Sequence, residues 1–361
     1  MSVMKALRKG LPTATLPVVA GLAAVGVAIA PAAQAAQAAQ AAPAARTAQT
    51  APAVQAAGTT PAQAASAGLH VTGKVDLGRL GPQFSYVLTE APDGNVYYSR
   101  GSVVYVVKGD HAPATALRAS GTVLAVAANS ADLFVEVGNK VSAYALSDGR
   151  RLRTWTLPSV APVTSAGLNP VGATVWAYTD WATDESGFEF ANVDRFSLSS
   201  PTVHRVTANN AYPADLAANS AALYYEGMAG SGNYLFRALT SGSPRRHADV
   251  NIDAPLALAG GNVYLLAIHE NQGGHTYLDA FRGSTLSPVF SERVSDHDTD
   301  IAGTGIGLLL VGAGKVSLLD TGNGHARSVL SVPGAVTLVP GPSAAVVTVS
   351  HSITYLLRLA G

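Results

Sequence analysis

Seven segments of one outline recur along this chain at intervals near forty residues: NVYYSRG from Asn95, DLFVEVG from Asp132, TVWAYTD from Thr174, ALYYEGM from Ala222, NVYLLAI from Asn262, GLLLVGA from Gly307 and AVVTVSH from Ala345. Their starts are separated by 37, 42, 48, 40, 45 and 38 residues. Two are introduced by nearly the same words, AANSADLFVE from Ala127 and AANSAALYYE from Ala217. A phrase that returns at a long interval marks a structural unit meeting the same packing problem each time. A unit this short buries its apolar face only by stacking on its neighbours.

Each unit has the same parts. A run of small apolar residues (VLAVAAN, ADLAAN, LALAG) precedes the repeated segment, a second run follows it (KVSAYALSDG, NYLFRALTSG, TYLDAFRGS, KVSLLDTGN), and a more polar run closes the unit (RLRTWTLP, ARSVLSV). Short apolar runs separated by Gly, Asn, Asp, Ser and Pro are strands joined by turns, and no stretch of about 12 residues keeps a helical period. The body is therefore all-β, and four strands per unit at this period predict a seven-bladed β-propeller of four-stranded antiparallel blades. Small residues in the first strand suit a place beside the central axis, where large side chains would collide. AANSA reads as the bend from first to second strand, with Asn129 and Asn219 supplying turn geometry. The seventh unit has only three strands, AVTLVP, AAVVTVS and SITYLLRLAG, while LHVTGKVDLG, Leu69 to Gly78, stands unassigned ahead of the first. Placing that strand in the last blade closes the ring and leaves no open seam.

This architecture resembles the quinoprotein-like and WD-repeat-like superfamily of β-propellers, over Leu69 to Gly361. YALSDGRRLRTW is similar to the quinoprotein blade motif, in which a turn glycine (here Gly149) precedes a strand ending in a docking tryptophan (here Trp155). The other six units lack that tryptophan, there is no cysteine pair, and no unit has the Trp-Asp ending of WD repeats. The resemblance implies a fold and selects no function.

Upstream the chain changes character. Residues 1–67 contain no acidic residue. Lys5, Arg8 and Lys9 precede the apolar LPTATLPVVAGLAAVGVAIA, and Ala33-Gln34-Ala35 follows as a small-x-small cleavage pattern. That order predicts a secretory signal peptide over 1–35 and a secreted, extracellular protein. If uncleaved, the segment is a membrane anchor near the lower limit of ~17 to 20 residues for a bilayer span. Residues 36–67 are rich in Ala, Gln and Pro with one charge, Arg46, and Pro43, Pro52 and Pro61 interrupt any helix, so this stretch reads as a disordered linker.

The propeller domain, 68–361, keeps 19 of the 23 Lys and Arg against all 23 Asp and Glu, a net charge of −4. Nucleic-acid binding draws its affinity from neutralising phosphates with basic side chains, and an acidic body argues against it. After signal cleavage no membrane contact is expected, and the chain reads as a monomer. Cysteine is absent, which removes thiolate and iron–sulfur chemistry and suits an exported domain long enough to bury a large core without disulfides.

Turns between strands one and two, and three and four, share one face of a propeller. Here they are short and alike: APDGN, AANSA, NPVGA, AGGN, SDGR and TGNG. The other face is irregular. It carries TDWATDESGFEFAN (Thr179 to Asn192), GMAGSGN in blade four, IHENQGGHT (Ile268 to Thr276) and the link SDHDTD (Ser295 to Asp300). Binding residues gather on variable loops held by a rigid scaffold. The candidate ligand-binding residues are therefore Trp181, Asp184, Glu185, Phe188, Phe190 and Tyr212; aromatics beside acids stack on sugars or grip peptides, and they also fold inward to pin a long loop.

His269, Glu270 and His275 should neighbour Asp296, His297, Asp298 and Asp300, a set able to hold zinc or calcium as a divalent cofactor. Polar loops also collect such residues for solvation alone. No other cofactor is predicted. GTGIGLLLVGAGK from Gly303 lacks the phosphate-loop spacing, and its glycines read as turns around one strand. No catalytic set stands out. The preferred reading is a binding scaffold for a protein, peptide or glycan at the loop-rich face; the alternative is a metal-dependent hydrolase or lyase with a cation at the channel mouth.

Overall fold

The seven repeated segments become strands hydrogen-bonded on both edges and covered on both faces, which is why they read as nearly unbroken apolar runs. The computed structural model describes residues 68–79, 88–158, 163–181, 190–229, 232–239, 245–248, 255–269 and 272–361. The segments read as signal peptide and linker lie outside the described residues.

The described chain opens with β1 (His70–Gly78). Blade one is β2 (Leu88–Glu90), β3 (Val96–Arg100), β4 (Val103–Val107) and β5 (Ala114–Arg118), and blade two is β6 (Ala125–Ala128), β7 (Asp132–Val137), β8 (Lys140–Ala145) and β9 (Arg151–Thr156). Blade three begins with β10 (Val163–Val171), β11 (Thr174–Trp181) and β12 (Phe190–Ser197). β13 (Ser200–Ala218) then runs on without a break, so its first half is the outer strand of blade three and its second half the inner strand of blade four. Blade four adds β14 (Ala222–Ala229), β15 (Gly232–Leu239) and β16 (Arg245–Ala248). Blade five is β17 (Leu256–Ala259), β18 (Asn262–His269), β19 (His275–Arg282) and β20 (Pro288–Arg293). Blade six is β21 (Asp298–Thr304), β22 (Gly307–Gly312), β23 (Lys315–Leu319) and β24 (Ala326–Ser331). Blade seven has β25 (Ala335–Val339), β26 (Ala344–Ser350) and β27 (Ile353–Ala360), and its fourth strand is β1.

Within the blades the strands pair antiparallel, and β1 lies along β27 with His70 opposite Ala360 and Gly78 opposite Thr354. The inner strands touch in sequence around the ring, and blade seven returns to blade one. The fold is a seven-bladed β-propeller sealed by its N-terminal strand, as the repeat count predicts. The continuous β13 departs from the expectation of separate sheets, since it merges blades three and four into one seven-stranded sheet.

The core is divided among the seams. Among the described residues, most buried apolar side chains fall into seven clusters, each shared by two adjacent blades. Side chains alternate across a strand, so Leu133 and Val135 of β7 pack on blade one while Phe134 packs on blade three. Each seam removes apolar area from water at roughly 25 cal/mol per Å².

Polar stitches fix the seams. Tyr224 Oη donates to Gly283 O at 2.7 Å, and Tyr264 Oη, at the same place in the next repeat, donates to Thr321 O at 2.7 Å. Trp155, 2% exposed, donates its indole N–H to Ser200 O at 2.9 Å and lies 4.6 Å from the Phe196 ring. It thus docks blade two on blade three, the role implied by the quinoprotein-like motif.

The repeated AANSA is the expected bend. Asn129 Oδ1 accepts from Ala131 N (2.9 Å) and Asp132 N (2.7 Å), and Asn219 Oδ1 accepts from Ala221 N (2.9 Å) and Ala222 N (3.0 Å). The glycine run in blade six is only partly a matter of turns. Gly303 sits within β21, where a Cβ would come 1.9 Å from Leu258 O of the neighbouring inner strand. Crowding at the axis, rather than a turn, demands glycine there.

Candidate functional site

The inner strands of blades one to six, with Pro340 and Gly341 just after the inner strand of blade seven, line a central channel of about 390 Å³. Its lining side chains are mainly apolar, Ala, Gly and Leu above all, with Thr89, Glu90, Asn169 and Tyr178 as polar exceptions. Among the described residues Glu90 is the one carboxylate lining it, and that group is committed elsewhere. Its Oε2 accepts from Ser343 N at 3.0 Å, its Oε1 accepts from the Ser343 hydroxyl, and the Arg358 guanidinium lies 3.6 Å away. Burial pushes the Glu90 carboxyl above the usual range, and Ser343 and Arg358 pull against that rise.

Polar chemistry gathers instead on the face carrying the turns between second and third strands. Blade five's hairpin is longer than the sequence suggests, because His269 pairs with His275 across it and leaves only 270–274 as connection. His269 Nε2 lies 2.8 Å from Asp279 Oδ2, and its ring stacks on Tyr277 at 4.4 Å. His275 Nδ1 lies 3.0 Å from Asp296 Oδ2 and 2.9 Å from Arg293 Nη2. Thr276 N donates to Asp296 Oδ1 at 2.9 Å. That amide, then His275 and Arg293, holds the Asp296 carboxyl below its ordinary value.

The predicted metal set thus separates into local pairs. Asp298 Oδ2 accepts from Ser295 N at 2.9 Å and closes its own turn, and burial raises its pKa. His297 is exposed, its amide 3.2 Å from Ser295 Oγ. The Asp300 carboxyl is enclosed and crosses to blade seven, accepting from Leu338 N at 2.8 Å and from the Thr337 hydroxyl. Desolvation raises its pKa against those hydrogen bonds. Among the described residues no three His, Asp or Glu converge as a metal site. Glu270 lies outside the described residues.

Of the aromatic and acidic candidates, Trp181 and Phe190 pair across the end of the blade-three hairpin, which narrows the expected insert to 182–189. Asp184, Glu185 and Phe188 lie outside the described residues, and Tyr212 falls within β13.

Sequence reading missed Asp279, the partner of His269, and two carboxylates between blades two and three. Glu136 is fully buried in β7 and Asp194 fully buried in β12. Asp194 Oδ1 accepts from Arg205 Nε at 2.6 Å. The signal was present: Glu136 and Glu226 end the two copies of the repeated phrase, and Asp194 and Asp279 each open an Asp-x-Phe in the following blade.

No protein-family model matches the chain, and no curated protein matches it. Solved structures match in fold. A chain of the Mitotic Checkpoint Complex superposes with a TM-score of 0.59 at 12% identity, covering 83% of this chain and 98% of that one. The Neurospora crassa Pan2 WD40 domain superposes with a TM-score of 0.59 at 9% identity over 81% and 95%. BBS1N in complex with ARL6DN gives 0.58 at 10% over 82% and 98%. At such identities the likeness establishes a WD40-like propeller architecture and nothing finer.

Proposed function

We propose that this WD40-like propeller is an exported binding scaffold whose loop-rich face engages a protein or peptide. The contrast between channel and face carries the reading: the side chains lining the channel are mainly apolar and its carboxylate is already bound, whereas Arg293 and Asp296, with His275 beside both, form a half-exposed polar array on the face. Charged side chains around a recognition surface steer encounter and select partners. Two of the similar propellers come from complexes, the Mitotic Checkpoint Complex and BBS1N with ARL6DN, which supports protein partners in general.

Affinity capture with full-length wild type, a His275→Ala/Arg293→Ala/Asp296→Ala variant, and an opposite-face Asp148→Ala/Arg150→Ala variant tests this. A partner retained by wild type and the opposite-face variant, and lost from the loop-face variant, is the expected result. Equal capture by all three would refute it. Export is tested by N-terminal sequencing of protein recovered from the culture medium, with a mature start near Ala36 expected.

A further inference from the structure

The repeated phrase ends in a glutamate that the proposed function leaves unused. In β7, Glu136 lies on the same side as Phe134, and Phe134 packs against Val175, Ala177 and Phe196 of blade three. By the same alternation Thr179 follows Ala177 on β11, and Asp194 precedes Phe196 on β12. Glu136, Thr179 and Asp194 therefore share one seam, toward its loop-rich end. All three are 0% exposed. Among the described residues, neither Glu136 oxygen has a hydrogen-bond partner, nor do Thr179 Oγ1 and Asp194 Oδ2.

Buried polar atoms are nearly always paired, so such a group calls for a specific explanation. An ionised carboxylate without partners in a dry interior is costly enough that it neutralises instead. The nearby cation does not relieve it. Arg205 is taken up by Asp194 Oδ1 and by Pro158 O at 2.5 Å, and Asp194 adds a like charge. Within its own blade Glu136 stands opposite Ala125 and Val141, which carry no charge.

We infer that Glu136 is held in its protonated form and that the seam between blades two and three is a pH-responsive joint, firm while the carboxyl keeps its proton and loosened when base removes it. Burial, with Asp194 adding to it, pushes the Glu136 carboxyl well above its ordinary 4.5, and burial raises Asp194 despite Arg205. For an acid whose folded pKa is raised, stability is fully present below the ordinary value and is lost as pH climbs through the folded value. Deprotonation sends the proton to solvent and leaves two carboxylates in one seam, beneath the face proposed to bind partners. Glu226, 1% exposed, and Asp279 occupy the equivalent strand positions between blades four and five, with His269 beside Asp279 where blade three has Arg205 beside Asp194.

The test is the melting temperature of the full chain from pH 5 to pH 8 at constant ionic strength, for wild type, Glu136→Gln and Asp194→Asn. Glutamine mimics the protonated acid, so Glu136→Gln should match wild type at pH 5 and exceed it by about 3 °C or more at pH 8. Amide exchange of wild type supplies an independent readout: protection of Val137–Val141 should fall with pH beyond the intrinsic base-catalysed rise. Parallel melting profiles, or unchanged protection, would overturn the inference. A calcium or sodium addition at pH 8 that raises the melting temperature of wild type and not of Glu136→Gln would also overturn it, since a cation rather than a proton would then occupy the seam.

Discussion

Arg358, on the last strand of the chain, lies 3.6 Å from Glu90, at the end of the first strand of blade one. Its Nη2 also donates to Gly94 O and its Nε to Gly109 O, each at 3.1 Å. One side chain thus fastens both turns on that side of blade one to the blade that closes the ring. Strand pairing of β1 with β27 seals the sheet, and Arg358 seals the seam.

Replacing Arg358 by methionine should destabilise the propeller by about 3–5 kcal/mol, because it strands a buried carboxylate. Urea unfolding of the variant measures this, and Glu90→Gln with Arg358→Met should recover part of the loss. A midpoint unchanged from wild type would show that the clasp is ornamental.

The two copies of the bend should behave alike. Asn129→Ala and Asn219→Ala each remove one side-chain oxygen that accepts from two backbone N–H groups, so each should cost about 1 to 2 kcal/mol. Their effects should add, since distant sites without shared partners are independent. Thermal unfolding of the two single variants and the double variant checks both points.

Tyr264→Phe deletes one hydroxyl and leaves the Thr321 carbonyl without that donor, for an expected loss of about 1 kcal/mol. Trp155→Leu removes a larger body together with its bond to Ser200, and should cost about 3 kcal/mol or more. Comparable small losses for both would mean that the tryptophan is not a docking group.

Asp300 and Asp296 should respond to pH in opposite directions. Asp300 has a folded pKa above its free 3.8, so its contribution is complete below that value and declines as pH rises through the folded value. Asp296 has a folded pKa below 3.8, so its contribution holds above pH 3.8 and disappears as pH falls through the folded value. Asp300→Ala should destabilise by about 2 kcal/mol by orphaning Leu338 N. Asp296→Asn should flatten only the acid limb of the stability profile, read from melting temperatures between pH 3 and pH 8.

The blade count and the closing strand were legible because a repeat is a local pattern. Each unit writes its own apolar runs and turn residues, and counting them gives seven units, the last one strand short and one strand left over ahead of the first. The docking role of Trp155 was legible for the same reason, being carried by its distance from Gly149. Side-chain destinations were not. Asp300 and Asp296 stand four positions apart in one short link, yet one is enclosed against blade seven and the other reaches the solvent-facing pair with His275.

The sequence by itself determined a ring of seven sheets and which strand seals it, since strand periodicity and turn chemistry act over a few neighbouring residues. Only the tertiary structure decided that Glu90 meets Ser343 across 253 positions, or that Glu136 and Asp194 are buried in one seam. Those meetings depend on how adjacent blades are set against each other, and no run of neighbouring residues records that angle.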